Sequence, residues 1–162
     1  MSDFDPLFDI KGKTAIVTGA SAGLGATFAN VLAARGANVV LAARRVDRLA
    51  DVERAITTSG GTAMSVACDV GEPDSVANMV AAAVDRFGRV DILVNNAGVV
   101  ADAGPAREKL PHDAFEQTIK VNLLGTWYCC RDVGAHMLAD GKGGSIINIA
   151  SVAGMGGAYE IP

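Results

Sequence analysis

Short apolar runs and amphipathic stretches take turns along this chain. TAIVT (14–18), NVVLAA (38–43), AMSVAC (63–68), DILVN (91–95) and SIINIA (145–150) are dominated by apolar residues with little alternation. Such runs predict strands covered on both faces, as in a parallel sheet; a half-solvated strand would alternate apolar with polar. Between the runs, apolar residues return at helical spacing. Leu24, Phe28, Val31 and Leu32 share one face, Leu49, Val52 and Ile56 a second, and Val76, Val80, Ala83 and Phe87 a third. A long fourth helix is predicted from about Pro111 to Met137, with Phe115, Ile119, Leu123, Trp127 and Cys130 as its apolar stripe. Pro111 suits a first helical turn, where its missing N–H has no intrahelical partner to lose. Gly36, Gly60 and Gly88 follow the first three helices, where a left-handed residue ends them. Five strands alternating with four helices predict an α/β fold: a Rossmann-type, doubly wound parallel sheet of right-handed βαβ units. The irregular stretch VVADAGPAREK (99–109) reads as a mobile loop, and residues 1–162 read as one domain.

Composition narrows the class. Half of the residues are hydrophobic and a fifth are charged, which excludes a mostly disordered chain. A net charge of −4 leaves no basic footprint for nucleic acid. No apolar run approaches the ~18 residues of a membrane span. The opening MSDFDPLFDIKGK carries acids early and does not read as a signal peptide, so a soluble, cytoplasmic protein is expected. Cys68, Cys129 and Cys130 fit neither a disulfide framework nor a zinc site, and are expected to pack in the core. With His112 and His136 the only histidines, no metal centre is expected.

The stretch VTGASAGLG (17–25) falls between the first strand and the first helix. Gly19, Gly23 and Gly25 allow a tight turn, close approach of a phosphate to backbone N–H groups, and close packing of helix on sheet. The helix start then offers unpaired donors and partial positive charge to a pyrophosphate. The spacing is G-x-x-x-G-x-G, and a plain glycine turn is the alternative. At the tip of the second strand stand Ala42, Ala43, Arg44 and Arg45, without the acid that accepts from a ribose 2′-hydroxyl at NAD sites. Arg44 there suits the 2′-phosphate of NADP, Arg45 less so; a solvated helix start running on into Asp47 and Arg48 is the alternative.

TGASAGLG (18–25), CDV (68–70), NNAG (95–98), KVNLLGTW (120–127) and IASVAG (149–154) occur in one order. In that order they resemble the short-chain dehydrogenase/reductase family, from about Ile10 to the end of the chain. The resemblance implies that Thr18, Gly19, Ser21, Gly23, Leu24 and Gly25 surround the pyrophosphate and ribose. It places Asp69 and Val70 at the adenine edge, with Asp69 accepting from the exocyclic amine, and Asn95, Ala97 and Gly98 beside the cofactor ribose. Asn122 resembles the family's helix asparagine, whose kinked turn frees a backbone carbonyl for a proton relay; a satisfied core amide is the alternative. Ser151 resembles the serine that hydrogen-bonds the substrate oxygen. In the family a tyrosine follows that serine as the general acid or base, and a lysine one helical turn on helps lower its pKa. Tyr159 stands too close to Ser151 for that part and is expected to be a substrate-loop residue; the tyrosine and lysine would fall after Pro162. The chain thus resembles the N-terminal portion of a reductase, its sheet ending after the fifth strand and doubtful as a catalyst alone.

The function implied is NAD(P)-dependent transfer of hydride between nicotinamide and a ketone or secondary alcohol. It implies a small carbonyl or alcohol substrate, no nucleic-acid or membrane partner, and a homo-oligomer when complete. A non-catalytic dinucleotide-sensing module is the alternative, and an S-adenosyl or other adenine-nucleotide site a third.

Overall fold

The computed structural model describes residues 8–100 and 111–151. Strands β1 (Thr14–Thr18), β2 (Asn38–Ala43), β3 (Thr62–Ala67), β4 (Ile92–Asn95) and β5 (Ser145–Asn148) form one sheet in the order β3-β2-β1-β4-β5. All four pairings are parallel. The chain works outward from β1 to one edge and then crosses β1 to build the other. The C-terminal tips of β1 and β4 therefore diverge around a crevice, the place where open α/β sheets receive ligands.

Alternation along the central strands sorts side chains between two cores. Ile16, Val40 and Leu93 point to one face with Met79 and Val80 of α3 (Pro73–Phe87) and with Cys129 and Val133 of α5 (Thr126–Asp140). Val17, Val39, Leu41 and Val94 point to the other. There they meet Ala29 and Ala33 of α1 (Gly23–Ala34) and Leu49 and Ile56 of α2 (Val46–Thr58). Each fully buried aliphatic side chain contributes roughly 1.5–3 kcal/mol.

The strands β1, β2 and β4 are covered on both faces, as the unbroken apolar runs require. The edge strands differ: β3 is half-buried and β5 exposed among the described residues. An edge position gives them fewer helices to lie under.

Two helix faces differ from the periodicity. In α1 the buried residues are Gly25, Ala29 and Ala33, while Leu24 is 62% exposed and Val31 also faces out. Phe28 and Leu32 only flank the core. Small residues at this spacing let the helix axis approach the sheet, and closeness outweighs bulk. The fourth helical stretch is also broken: α4 (His112–Ile119) gives way to an i→i+5 turn over Lys120–Gly125 before α5 begins. Val121, Gly125, Cys129, Val133 and Met137 face the core. Phe115, Ile119, Leu123 and Trp127, the residues of the expected stripe, lie on the exposed side, and Cys130 is half-buried. Pro111 is the residue before α4 rather than part of its first turn. The α2 and α3 faces run as the spacing requires, and Gly36, Gly60 and Gly88 all take positive φ after their helices.

At the N-terminal end of the sheet an ionic node ties elements together. The buried carboxylate of Asp91 accepts from Thr14 N at 2.9 Å and faces Arg89 Nη2 at 2.9 Å and Lys13 Nζ at 3.4 Å. Arg89 also reaches Asp140 at the end of α5, 3.3 Å away. Residues 101–110, most of the stretch expected as a mobile loop, and Tyr159 lie outside the described residues.

Candidate dinucleotide cleft

The crevice between the tips of β1, β2 and β4 is a cleft of about 310 Å³. Gly19, Ser21, Arg44, Asp69, Val70, Ala97 and Gly98 line it, all candidates from the sequence, together with Ala22, Arg45, Cys68, Asn96 and Val99.

Its floor is built by Thr18 at the end of β1. Thr18 Oγ1 accepts from Asn96 N and Ala97 N, each at 3.0 Å, and donates to Val94 O at 3.4 Å. Asn96 returns the contact, donating through Nδ2 to Thr18 O at 3.0 Å and to Gly19 O at 3.4 Å. The glycine loop is thereby fastened to the turn that follows β4. Gly19 has φ +67°, and a Cβ there would come within 2.9 Å of Ala97 Cα, so only glycine fits. A Cβ on Gly25 would run into the Gly19 carbonyl, which fixes how closely α1 approaches the loop.

The helix N-terminus is uncapped. Ala22 occupies the capping position and gives no side-chain hydrogen bond, so the donors of the first turn, Gly23 to Gly25, lack the usual side-chain acceptor. Uncapped N–H groups with the positive end of the helix dipole bind anions, phosphates in particular. Gly23 and Leu24 lie in that turn, and a Cβ on Gly23 would meet nothing within 4 Å.

On the β2 side, Arg44 and Arg45 stand exposed at the rim, and Arg45 Nη2 donates to Ser21 Oγ at 2.9 Å. On the β3 side, Asp69 Oδ1 accepts from Gly71 N at 3.0 Å and Asp69 N donates to Ser75 Oγ at 3.0 Å, which holds the carboxylate at the wall. Cys68 beside it is buried, and burial pushes its thiol pKa above the usual value, so this thiol stays protonated and unreactive.

Asn95 takes a different course. Its side chain donates to Asn148 Oδ1 at 2.9 Å and lies 3.3 Å from Cys130 Sγ, joining β4 to β5 and α5 rather than lining the cleft. Cys130, expected in the core, serves this polar joint.

Asn122 sits within the i→i+5 turn and pairs with the backbone of Val99 in both directions. Nδ2 donates to Val99 O and Oδ1 accepts from Val99 N, each at 2.8 Å. The Asn122 carbonyl accepts from Thr126 Oγ1 at 3.0 Å. The turn is held from below by Gly125, whose backbone rests on Val70. Ser151 lies beyond β5 and is exposed. Because β5 is parallel to β4 and Ile149 N donates to Asn95 O at 2.9 Å, Ser151 emerges at the same end of the sheet as the cleft. Asn96 was missed by sequence reasoning; its place in NNAG, directly before Ala97 and Gly98, is the signal that could have found it.

Among known proteins, a short chain dehydrogenase from Aspergillus oryzae (astE) is 40% identical over 152 residues, covering 93% of this chain and 58% of that protein. A metagenomic short-chain oxidoreductase crystallised with NADP is 41% identical with a TM-score of 0.86, over 93% of this chain and 67% of that one. A short chain dehydrogenase/reductase from Burkholderia phymatum, crystallised with NAD, is 32% identical with a TM-score of 0.89, over 94% and 54%. The chain spans less than two thirds of the length of such curated relatives. The short chain dehydrogenase family model matches residues 13–162. With the parallel sheet, the fastened glycine loop and a match over nearly its whole length, the chain belongs to the short-chain dehydrogenase/reductase family.

Proposed function

We propose that the protein is an NAD(P)-dependent oxidoreductase acting on a ketone or secondary alcohol, with residues 1–162 forming its dinucleotide-binding domain. The observation that carries this reading is the joining of Thr18 Oγ1 to Asn96 N and Ala97 N, which sets an uncapped helix start and a glycine loop against one cleft wall. The donor set fits the group: backbone N–H donors for a diphosphate, Asp69 for an exocyclic amine, and arginines for a further phosphate. When bound, the nicotinamide supplies hydride chemistry; the protein supplies binding, orientation and the proton.

In this reading Gly19, Ser21, Gly23, Leu24 and Gly25 hold the pyrophosphate and its ribose, with Thr18 fixing the loop. Asp69 and Val70 take the adenine, and Ala97 and Gly98 the ribose nearer the reaction. Asn95 acts through the strand joint it makes with Asn148. The Asn122 side chain is spent on Val99, so its contribution is to position Gly98 and to hold the i→i+5 turn. Ser151 donates a hydrogen bond to the substrate oxygen, stabilising the charge that develops there.

Arg44 favours NADP over NAD. Arg44→Asp should reverse the ratio of NADPH to NADH affinity in isothermal titration; an unchanged ratio would reduce Arg44 to a solvated residue. We read the protein as cytoplasmic, since its three cysteines are free thiols. We also read it as a homo-oligomer. The exposed apolar side of α4 and α5, with Phe115, Leu123 and Trp127, offers a second copy a surface to cover. Among the described residues no helix is long and apolar enough to cross a membrane.

A further inference from the structure

The turn between β3 and α3 carries the Asp69 carboxylate, and it is held in two ways. Within the turn, Asp69 Oδ1 accepts from Gly71 N at 3.0 Å and Asp69 O accepts from Glu72 N at 3.1 Å. From outside, the i→i+5 turn rests on it with both of its ends. Gly125, its last residue, meets Val70, while Lys120, its first, meets Gly71 and Glu72.

Lys120 makes this contact with both parts of its side chain. The alkyl stem lies over buried Gly71, where a Cβ would stand 3.0 Å from Lys120 Cγ and 3.2 Å from Cε. The ammonium then pairs with the Glu72 carboxylate. Glu72 occupies the capping position of α3 yet gives no capping hydrogen bond, so its charge serves the crossing to Lys120. Neither residue lines the cleft; both act on it through Asp69 and Gly71.

The contact with Gly71 N uses one of the roughly four acceptor positions of a carboxylate. The others suit an exocyclic amine, whereas a ring carbonyl at the same place would set acceptor against acceptor. The choice between an amino-purine and an oxo-purine therefore depends on where this carboxylate stands, because hydrogen bonds weaken steeply away from their preferred geometry. As a stabilising contact the ion pair is worth little, its side chains being 43% and 55% exposed. Its effect lies in placement.

We propose that Lys120 and Glu72 are positioning residues that hold Asp69 for an amino-purine and so set the base specificity of the dinucleotide site. The proposal rests on the dinucleotide reading above and adds to it two residues outside the cleft.

The test is isothermal titration of the full chain with NADP, NAD and the counterpart of each in which hypoxanthine replaces adenine. The unaltered protein should bind the adenine forms about tenfold or more tightly, the worth of a hydrogen bond to a charged group. Lys120→Gln and Glu72→Gln should each shrink that ratio about two- to fivefold, the range of an exposed ion pair, by weakening the adenine forms alone. Lys120→Arg, which keeps the charge, should retain most of the ratio. The double variant Lys120→Glu with Glu72→Lys should recover part of what Lys120→Glu loses by itself, because the pair is restored with its charges exchanged.

A ratio unmoved by either glutamine variant, or a charge exchange that recovers nothing, overturns the proposal and leaves the pair a surface contact. Equal weakening of the adenine and hypoxanthine forms overturns it as well, since that pattern reports lost cleft shape rather than lost base selection. If Lys120→Gln fails to give the circular dichroism of the parent, Glu72→Gln carries the test alone. Absence of an adenine preference in the unaltered protein removes Asp69 as the amine acceptor and this proposal with it, while dinucleotide binding stands. Binding of none of the four ligands overturns the dinucleotide reading first.

Discussion

One hydroxyl joins the two halves of the cleft. Thr18 Oγ1 satisfies two backbone N–H groups of the turn after β4, and its own proton goes to Val94 O. A buried donor left without its acceptor costs about 1–3 kcal/mol. Thr18→Val, which keeps the shape and removes the acceptor, should therefore lower stability by ~2–4 kcal/mol and weaken dinucleotide binding, while Thr18→Ser should retain most of both. Urea denaturation with parallel nucleotide titration measures the two effects; full stability in the valine variant would show that water replaces the hydroxyl. Motif spelling names Thr18 and its neighbours as cleft residues, because glycines and short polar side chains at a strand tip answer to local geometry. It does not reveal how a side chain turns. Asn95 and Asn122 are both amides in recognisable stretches, yet one spends its amide on Asn148 and the other on Val99, partners 53 and 23 residues away. Such pairings depend on strand order and helix position, which no local spacing encodes.

At the level of elements the strands were legible because their signal is composition; burial on both faces accounts for it in β1, β2 and β4, while β3 and β5 carry the same apolar runs at the sheet edges, half-buried and exposed. Helix faces were legible where bulky residues do the packing, as in α2 and α3. They misled where small residues do it. Gly25, Ala29 and Ala33 carry little hydrophobicity, but they determine how α1 lies. The i→i+5 turn at Lys120–Gly125 follows the same principle. It lets the Gly125 backbone settle against Val70, where a Cβ would stand 2.7 Å from Val70 Cγ2 and 3.1 Å from Val70 O. Gly125→Ala should cost about 1–3 kcal/mol by overpacking and should displace the Asn122 turn. Companion replacement of Val70 by Ala should recover part of that loss, a coupling that a double-mutant cycle reads directly. Purely additive losses would mean the turn does not rest on Val70.

Across the whole molecule, the two ends of the sheet do different work. The C-terminal end holds the cleft, and the N-terminal end is closed by the Asp91 node that links β1, β4 and α5. Between them lies a core containing two thiols. Burial pushes Cys129 from its ordinary 9.0 up to about 12, and raises Cys68 as well. The sign follows from proton counting. Below pH 9.0 both folded and unfolded chains hold these protons, so stability is fully present. Between 9.0 and about 12 the unfolded chain releases the Cys129 proton and the folded chain keeps it, so stability falls as pH rises. The decline is on the order of 1 kcal/mol per pH unit for one such thiol. Cys129→Ala should be less stable at pH 8 through its cavity, but should lose stability more slowly towards pH 11 in urea titrations. An identical pH slope in both proteins would place the alkaline sensitivity elsewhere.

The chain has a single tryptophan, and its position matters to anyone who works with the protein in solution. Trp127 is 55% exposed, with the Arg131 guanidinium 5.2 Å above its ring and Tyr128 edge-on at 5.3 Å. It sits little more than a helical turn beyond Asn122. A lone indole, half wet and beside a cation, is a fluorophore already installed on the apolar flank of that helix. Its emission colour reports water leaving or reaching one known spot, with no dye attached and no second emitter of its kind to subtract.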